Sequence, residues 1–250
     1  SVRVEDPEVF NIVHELAFKL YNDGKINGFR VDHIDGLYDP FNYLQRLRQN
    51  APDAYIVVEK ILGSNETVPH GWPVQGTTGY EFCTIVNQLF CSIENESRFT
   101  QIYQKFSGNY NSFEKTVKDA KRLILKKNMA GDIDNLASLI KIISTHDRWG
   151  SDITLYGLRT ALVELMVHFP VYRSYINYTN FSDEDRENLQ KAIVRARTDE
   201  PGLSREFDFI ERFLFLRYDT GLSEEQKIKW TEVVMRFQQF TGSLSAKGIE

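Results

Sequence analysis

The stretch GFRVDHIDGL, from Gly28 to Leu37, and the shorter stretch VVEK, from Val57 to Lys60, decide the fold of this 250-residue chain. In each stretch, a run of apolar or β-branched residues ends at a carboxylate, which is Asp32 in the first and Glu59 in the second. Such runs are typical of parallel strands that are buried on both faces. In a (β/α)8 barrel, the functional groups lie at the carboxyl ends of the strands. We therefore expect Asp32 and Glu59 at the tips of two strands.

The segment between these two strands is predicted to be a crossover helix. Residues 40–50 place Phe41, Leu44 and Leu47 on one helical face. A strand–helix–strand unit returns with a right-handed connection, so the two strands become parallel neighbours. Their carboxylate tips should then lie side by side.

Most of the remaining chain has the periodicity of helices. From Tyr80 onward, apolar residues recur at spacings of three and four, as on one face of a helix. The predicted fold class is α/β and predominantly helical, with a partial (β/α)8 barrel segment and a large helical insertion. We expect a barrel segment over residues 1–80, a helical insertion over 81–241 with a possible barrel strand at 169–176, and the start of a further, truncated strand at 242–250.

Two carboxylates at neighbouring strand tips suit glycoside chemistry. One carboxylate attacks the anomeric carbon while the other, protonated, donates to the leaving oxygen, and a separation of about 5–5.5 Å leads to retention of configuration. Arg30 is two residues from Asp32, so both side chains share a strand face and the cation favours an ionised carboxylate. Asp32 is therefore the better nucleophile and Glu59 the better acid/base. On these residues alone, solvated or helix-capping acids are an equally good interpretation.

An ordered set of motifs resembles one enzyme family. GFRVD, ending at Asp32, is similar to the second conserved region of the α-amylase superfamily, and VVE, ending at Glu59, to its third. The longer string RVDHIDGL and further motifs in the same order resemble the maltooligosyltrehalose synthases of that superfamily. An isolated R-x-D match carries little weight, whereas this set runs from one end of the chain to the other. The further motifs are WPV at 72–74, GTTGYEF at 76–82, FPVYR at 169–173, FQQFTG at 237–242 and AKGIE at 246–250.

The resemblance implies an activity and a substrate. The implied substrate and partner is a maltooligosaccharide, an α-1,4-glucan. Its reducing-end α-1,4 linkage would become an α,α-1,1 linkage by retaining intramolecular transglycosylation, as in trehalose biosynthesis. Asp32 would be the nucleophile and Glu59 the acid/base, with neither a cofactor nor a metal. The residues expected to contact the sugar are Arg30, His33, Asp35, Trp72, Tyr80, Tyr172 and Lys247.

Other interpretations of these residues remain open. Trp72, Tyr80 and Tyr172 are as readily ordinary packing aromatics, and a solvated side chain is the commoner outcome for Lys247. An α-1,4-glucan hydrolase or a glucanotransferase of the same superfamily would carry the same two carboxylates. A non-catalytic helical module would carry them without needing them.

Composition excludes several other classes of function. The net charge is −5 and no Lys/Arg tract is present, which argues against nucleic acid as a partner. No apolar run approaches the roughly 18 residues that a membrane span needs. Two cysteines, Cys83 and Cys91, are expected to be buried thiols in a reducing cytoplasm.

The ends of the chain suggest how it relates to the family that it resembles. In that family, the segment similar to residues 246–250 runs directly into an Asp, the third carboxylate of the superfamily. This chain ends one residue before that position, and no counterpart of the superfamily's first region precedes Gly28. We therefore expect an internal fragment of a longer enzyme, and we expect the fragment to be inactive alone.

Overall fold

The computed structural model describes residues 2–63, 66–144, 152–218 and 221–249. Its secondary structure is mainly helical, with a small parallel sheet of three strands. The strands are β1 (Gly28–Val31), β2 (Tyr55–Val58) and β3 (Gly76–Thr77). The helices are α1 (Pro7–Asn22), α2 (Pro40–Asn50), α3 (Tyr80–Gln88), α4 (Glu96–Ser107), α5 (Phe113–Lys127), α6 (Ala130–Ser144), α7 (Leu155–Val167), α8 (Asp183–Asp199), α9 (Ser204–Leu214) and α10 (Glu224–Ile249).

The first two strands form where the sequence predicts them. β1 and β2 are parallel neighbours, with Val31 paired with Val58, and the predicted helix α2 connects them. Gly28 is required at the start of β1, because a Cβ there would lie 2.1 Å from the carbonyl oxygen of Tyr55. The predicted strand–helix–strand unit is therefore confirmed.

A third strand, which was not predicted, extends the sheet beyond β2. Its pairing is continued by two flanking hydrogen bonds, from the amide of Gln75 to the carbonyl of Ile56 at 2.8 Å and from the amide of Thr78 to the carbonyl of Val58 at 2.9 Å. No apolar run marks β3, which lies in a stretch rich in Gly, Pro and Thr. The sequence pattern therefore indicated only a loop.

The helical prediction for the chain after Tyr80 is confirmed in the described residues. α8 begins with a capping box, in which the side chains of Ser182 and Asp185 each accept from the other residue's backbone N–H. Ser223 and Gln226 exchange the same kind of bond at the start of α10. None of the helices in the described ranges combines the length and the apolarity that crossing a membrane requires.

Two apolar cores stabilise the chain. The first packs α1 and α2 against the sheet, and its fully buried side chains include Phe10, Leu44, Leu47, Ile56 and Val58. The second lies among α5 to α10, and its fully buried side chains include Leu162, Phe207, Phe213 and Phe237.

The segment from α3 to α4 packs against neither core. No residue of these two fully described helices is buried, and Phe90, Ile93 and Phe106 are 85%, 84% and 93% exposed. The prediction that Cys83 and Cys91 are buried is wrong, since both thiols are exposed. Their apolar neighbours Phe82, Leu89 and Phe90 are exposed as well.

The strand predicted at 242–250 is wrong, because α10 continues through this range to Ile249. Residues 243–248 (SLSAKG) contain no β-branched or aromatic side chain that would favour a strand. Gly242 also lets α10 approach the turn after β1, since a Cβ there would lie 2.9 Å from the carbonyl oxygen of Asp35. Packing of α10 therefore overrides the expected strand.

The possible strand at 169–176 is also wrong, since this segment is irregular despite its β-branched and aromatic residues. Side chains take the place of a neighbouring strand. The amide of Tyr175 donates to Asp185 at 2.8 Å, while the amide of Ile176 donates to Gln238 at 2.8 Å. Gln238 returns a bond from Nε2 to the carbonyl of Ile176 at 2.7 Å. The amides of Tyr175 and Ile176 and the carbonyl of Ile176 are thus satisfied without a strand partner.

Candidate active site

The two predicted catalytic carboxylates leave neighbouring strand ends on the same side of the sheet. Because Val31 is paired with Val58, Asp32 and Glu59 occupy matching positions one residue further along. The amide of Glu59 continues the ladder by donating to the carbonyl of Val31 at 2.8 Å. Val31 and Val58 are buried, and side chains alternate along a strand, so Asp32 and Glu59 project from the opposite face.

Arg30 and Asp32 form the ion pair that strand alternation predicts. A guanidinium nitrogen of Arg30 lies 2.8 Å from Oδ1 of Asp32. The two side chains are 56% and 69% exposed, so water reaches both. The arginine fixes the direction of the carboxylate in a site that is open to solvent.

Glu59 is held from two sides. Its Oε2 accepts a hydrogen bond from the backbone N–H of His33 at 2.7 Å, and its Oε1 accepts one from the hydroxyl of Tyr80 at 3.0 Å. His33 has a left-handed backbone, with φ 48° and ψ 47°. Its imidazole lies over Gly36, where a Cβ would come within 2.2 Å of the ring. Glu59 thereby joins the turn after β1 to the start of α3.

A buried ion-pair network lies beside the strand tips. Nζ of Lys60 is 2.7 Å from a carboxylate oxygen of Glu66 and 3.4 Å from one of Asp35, and the lysine side chain is fully buried. The hydroxyl of Tyr175 donates to the other oxygen of Asp35. Burial and the charge of Asp35 raise the pKa of Tyr175 well above its ordinary value, so the phenol stays a donor. Asp35, expected to contact sugar, instead faces protein groups here.

Arg173 closes the same network from the segment after α7. Its buried guanidinium donates to the carbonyl oxygens of Asp35 at 2.7 Å, of Leu37, and of Tyr38 at 2.9 Å. Burial lowers the pKa of Arg173, while the negative charge of Asp35 opposes that shift. The motif FPVYR contains this arginine, but the sequence pattern predicts no role for it. The available signal was a lone cation inside the apolar and aromatic run FPVYRSYI.

The three aromatic residues expected to stack on glucose rings have different surroundings. Trp72 is buried and packs edge-on against Tyr175, with ring centroids 5.1 Å apart. Tyr172 is half-buried in the irregular segment after α7. Tyr80 is exposed and reaches Glu59. Of the three, Tyr80 is the one that the structure brings to the carboxylate pair.

Lys247 lies apart from the strand tips, on α10. Its exposed side chain lines a cavity of about 530 Å³ that Gly36 also borders. Gln239, on the same helix, donates from Nε2 to the carbonyl of Gly36 at 2.9 Å. Other polar residues that line the cavity are Asn128, Asp132, Asn135, Arg236 and Ser243.

A second cavity, of about 290 Å³, is bordered by carboxylates that protein groups already bind. Glu66 pairs with Lys60, and Asp185 accepts from the amide of Tyr175. Burial, followed by the charge of Glu66, raises the pKa of Glu184 at the same cavity. Within the part of the chain that the structure describes, no three His, Cys, Asp or Glu side chains are placed to hold a metal ion.

Comparison with known proteins gives consistent matches, although no protein-family model matches the chain. A protein of Mycobacterium tuberculosis named as a maltooligosyl trehalose synthase is 28% identical over 251 residues, covering all of this chain and 29% of that protein. The solved maltooligosyltrehalose synthase from Arthrobacter ramosus superposes with a TM-score of 0.80 at 30% identity, covering 98% of this chain and 29% of that one. A glycosyltrehalose synthase from DSM5389 gives a TM-score of 0.69 at 29% identity, covering 98% and 27%.

These matches are to synthases of trehalose-containing sugars, and the similarity extends along essentially the whole of this chain. More particularly, the chain is similar to the maltooligosyltrehalose synthases, so the resemblance that the ordered motifs predict is confirmed. The chain spans about 29% of the length of the curated relatives that it matches.

Proposed function

We propose that this chain supplies the nucleophile and the acid/base of a retaining enzyme of the maltooligosyltrehalose synthase type. The observation that carries the proposal is the register of β1 and β2, because it presents Asp32 and Glu59 at matching strand ends on one face. Neighbouring strands lie about 4.8 Å apart. That spacing suits the roughly 5–5.5 Å between the two carboxyl groups of a retaining enzyme.

In the first step, Asp32 attacks the anomeric carbon of the penultimate glucose of a maltooligosaccharide. Glu59 donates its proton to the oxygen of the departing reducing-end glucose, and the C–O bond to that glucose breaks. Arg30 orients the attacking carboxylate. The amide of His33 and the hydroxyl of Tyr80 orient Glu59.

In the second step, the released glucose turns within the site and returns its own anomeric hydroxyl. Glu59, now a base, takes the hydroxyl proton as the oxygen displaces Asp32. Two displacements at one carbon preserve its configuration, so an α-1,4 linkage becomes an α,α-1,1 linkage. The outcome depends on keeping water from the glycosyl-enzyme, because water would give hydrolysis instead.

The sheet is best interpreted as part of a (β/α)8 barrel, with the helices after it as an insertion. In this proposal, residues 1–80 form the barrel segment and residues 81–241 form the insertion, which would act as a lid that excludes water. Parallel neighbouring strands joined by α2, and the separation of the two apolar cores, support the division.

The 250-residue chain alone is proposed to be inactive. The side chain of Asp32 is 69% exposed, and its pair with Arg30 lies open to water. Much of a catalytic effect comes from preorganised groups in a site that excludes water. The exposed ion pair of Asp32 and Arg30 lacks that environment. Product should therefore be undetectable when the chain is incubated with maltopentaose.

The test of the proposed function is product analysis with the full-length gene product on maltopentaose. The expected result is loss of reducing ends with no change in chain length, and no loss with the Asp32→Asn variant. Shorter reducing sugars would identify a hydrolase, and longer chains a glucanotransferase. Full activity after substitution of both Asp32 and Glu59 would identify a helical module that does not use them.

A further inference from the structure

Lys60 contacts the segments that follow both β1 and β2. It directly follows Glu59, yet its side chain is fully buried beside Asp35 and Glu66. Besides its two carboxylate partners, Nζ donates to the carbonyl of Ile61 at 3.3 Å. A buried cation of this kind is stable only when its partners remain in place, since an unpaired buried charge is strongly unfavourable.

The partners of Lys60 come from three separate segments. Asp35 belongs to the turn after β1, and Glu66 lies in the loop after β2. Asp35 is also bound by the hydroxyl of Tyr175, and its carbonyl by Arg173, both from the segment after α7. The ring of Tyr175 lies 5.6 Å from Nζ of Lys60. Moving the ammonium would therefore remove one of the anchors of the turn that carries His33.

That turn is the one whose backbone holds the proposed acid/base. The amide of His33 donates to Glu59 from a residue with a left-handed backbone. Such a conformation persists when the surrounding structure over-determines it. Asp35, two residues later, is the point where the turn is anchored to Lys60.

We propose that Lys60 is a positioning residue for Glu59, acting through Asp35 and the turn after β1 rather than through the sugar. The inference rests on the proposed function, because it assumes that Glu59 is the acid/base. Lys60 would fix two backbone segments next to Glu59. The first is its own position directly after Glu59 at the end of β2, and the second is the turn after β1, which supplies the amide of His33.

The test exploits a substrate whose leaving group needs no acid and a nucleophile that needs no base. An α-maltosyl fluoride releases fluoride without protonation, and azide attacks the glycosyl-enzyme without giving up a proton. In the full-length gene product, Lys60→Met should lower kcat on maltopentaose about 10- to 100-fold while KM changes less than threefold. Turnover of the fluoride with azide should stay within threefold of the unaltered enzyme. Lys25→Met, at an exposed lysine, is the matched control and should change neither rate.

Equal loss on both substrates would overturn the proposal, since it would show that Lys60 merely supports the fold. Loss on neither would overturn it too. Glu59→Gln is assayed in parallel to separate this inference from the proposed function. If Glu59→Gln does not lose activity on maltopentaose while keeping turnover of the fluoride with azide, the acid/base role itself is refuted. If Lys60→Met does not fold, the variant Asp35→Asn/Lys60→Met/Glu66→Gln removes the whole buried charge set and should show the same split.

Discussion

The backbone N–H of His33 donates a 2.7 Å hydrogen bond to Oε2 of Glu59, so the residue that follows one strand-end carboxylate holds the other. The spacing of Asp32 and Glu59 is therefore set by backbone geometry as well as by sheet register. The imidazole of His33 has no part in this bond. The site depends on the conformation of one turn, and that turn is anchored by buried charges.

Replacing either carboxylate should abolish turnover in the full-length gene product. Asp32→Asn removes the proposed nucleophile and Glu59→Gln removes the proposed proton donor, and groups with these roles typically contribute at least about a hundredfold to the rate. Glu15→Gln and Asp53→Asn, at exposed positions, are the matched controls. Steady-state rates on maltopentaose check the prediction, and a rate above about one-hundredth of the unaltered enzyme in either variant would contradict it.

Removing the hydroxyl of Tyr80 should impair catalysis without loss of fold. Tyr80→Phe deletes the 3.0 Å hydrogen bond to Oε1 of Glu59, and bonds to a charged group contribute about 1.5–3 kcal/mol. We expect kcat on maltopentaose to fall about tenfold or more. Tyr110→Phe changes an exposed ring and should have no effect. An unchanged kcat in Tyr80→Phe would show that this bond does not orient Glu59.

The contact between α10 and the turn after β1 should not tolerate a methyl group. A Cβ at Gly242 would lie 2.9 Å from the carbonyl oxygen of Asp35, so Gly242→Ala should cost about 1–3 kcal/mol of unfolding free energy. Gly131 also lies in a helix but has nothing within 4 Å of its Cβ position. Gly131→Ala should therefore be neutral or stabilising by up to about 1 kcal/mol. Urea denaturation measures the change in unfolding free energy of both variants. Equal changes in Gly242→Ala and Gly131→Ala would contradict the close approach of α10 to the turn.

Lys121 should make stability rise in alkaline solution. Burial lowers its pKa from 10.5 to about 8, so between pH 8 and 10.5 the unfolded chain binds more protons than the folded one. The free energy of unfolding then increases with pH across that window, by at most about 3 kcal/mol. Lys121→Met should lose this rise, whereas Lys126→Met, at an exposed lysine, should keep it. Urea denaturation at pH 7.5 and 10 measures the free energy of unfolding of the unaltered chain and of the two variants. The same pH dependence in all three proteins would contradict the prediction.

The elements that were predicted correctly are set by interactions between residues close together in the sequence. The strand–helix–strand unit follows from apolar runs and helical spacing. Pairing of Asp32 with Arg30 follows from strand alternation alone. These elements were predicted because each depends on residues that are close together in the chain.

The features that were missed depend on long-range contacts. The hydroxyl of Tyr175 meets Asp35 across 140 positions, and Arg173 meets the same turn, so no local pattern reveals the network. The wrong strands at 169–176 and 242–250 have the same origin. At 169–176, bonds from distant side chains replace the expected strand pairing, and at 242–250 the packing of α10 against the turn after β1 does so.

The most direct test of the central claim is to identify the residue that becomes glycosylated. The full-length gene product would be incubated with a 5-fluoro-α-maltosyl fluoride, whose glycosyl-enzyme forms and then decays slowly, and its peptides would be mapped by mass spectrometry. We expect one stoichiometric adduct on Asp32, absent from the Asp32→Asn variant. An adduct on Glu59 or on any other carboxylate, or turnover of the probe with no covalent intermediate, would contradict it.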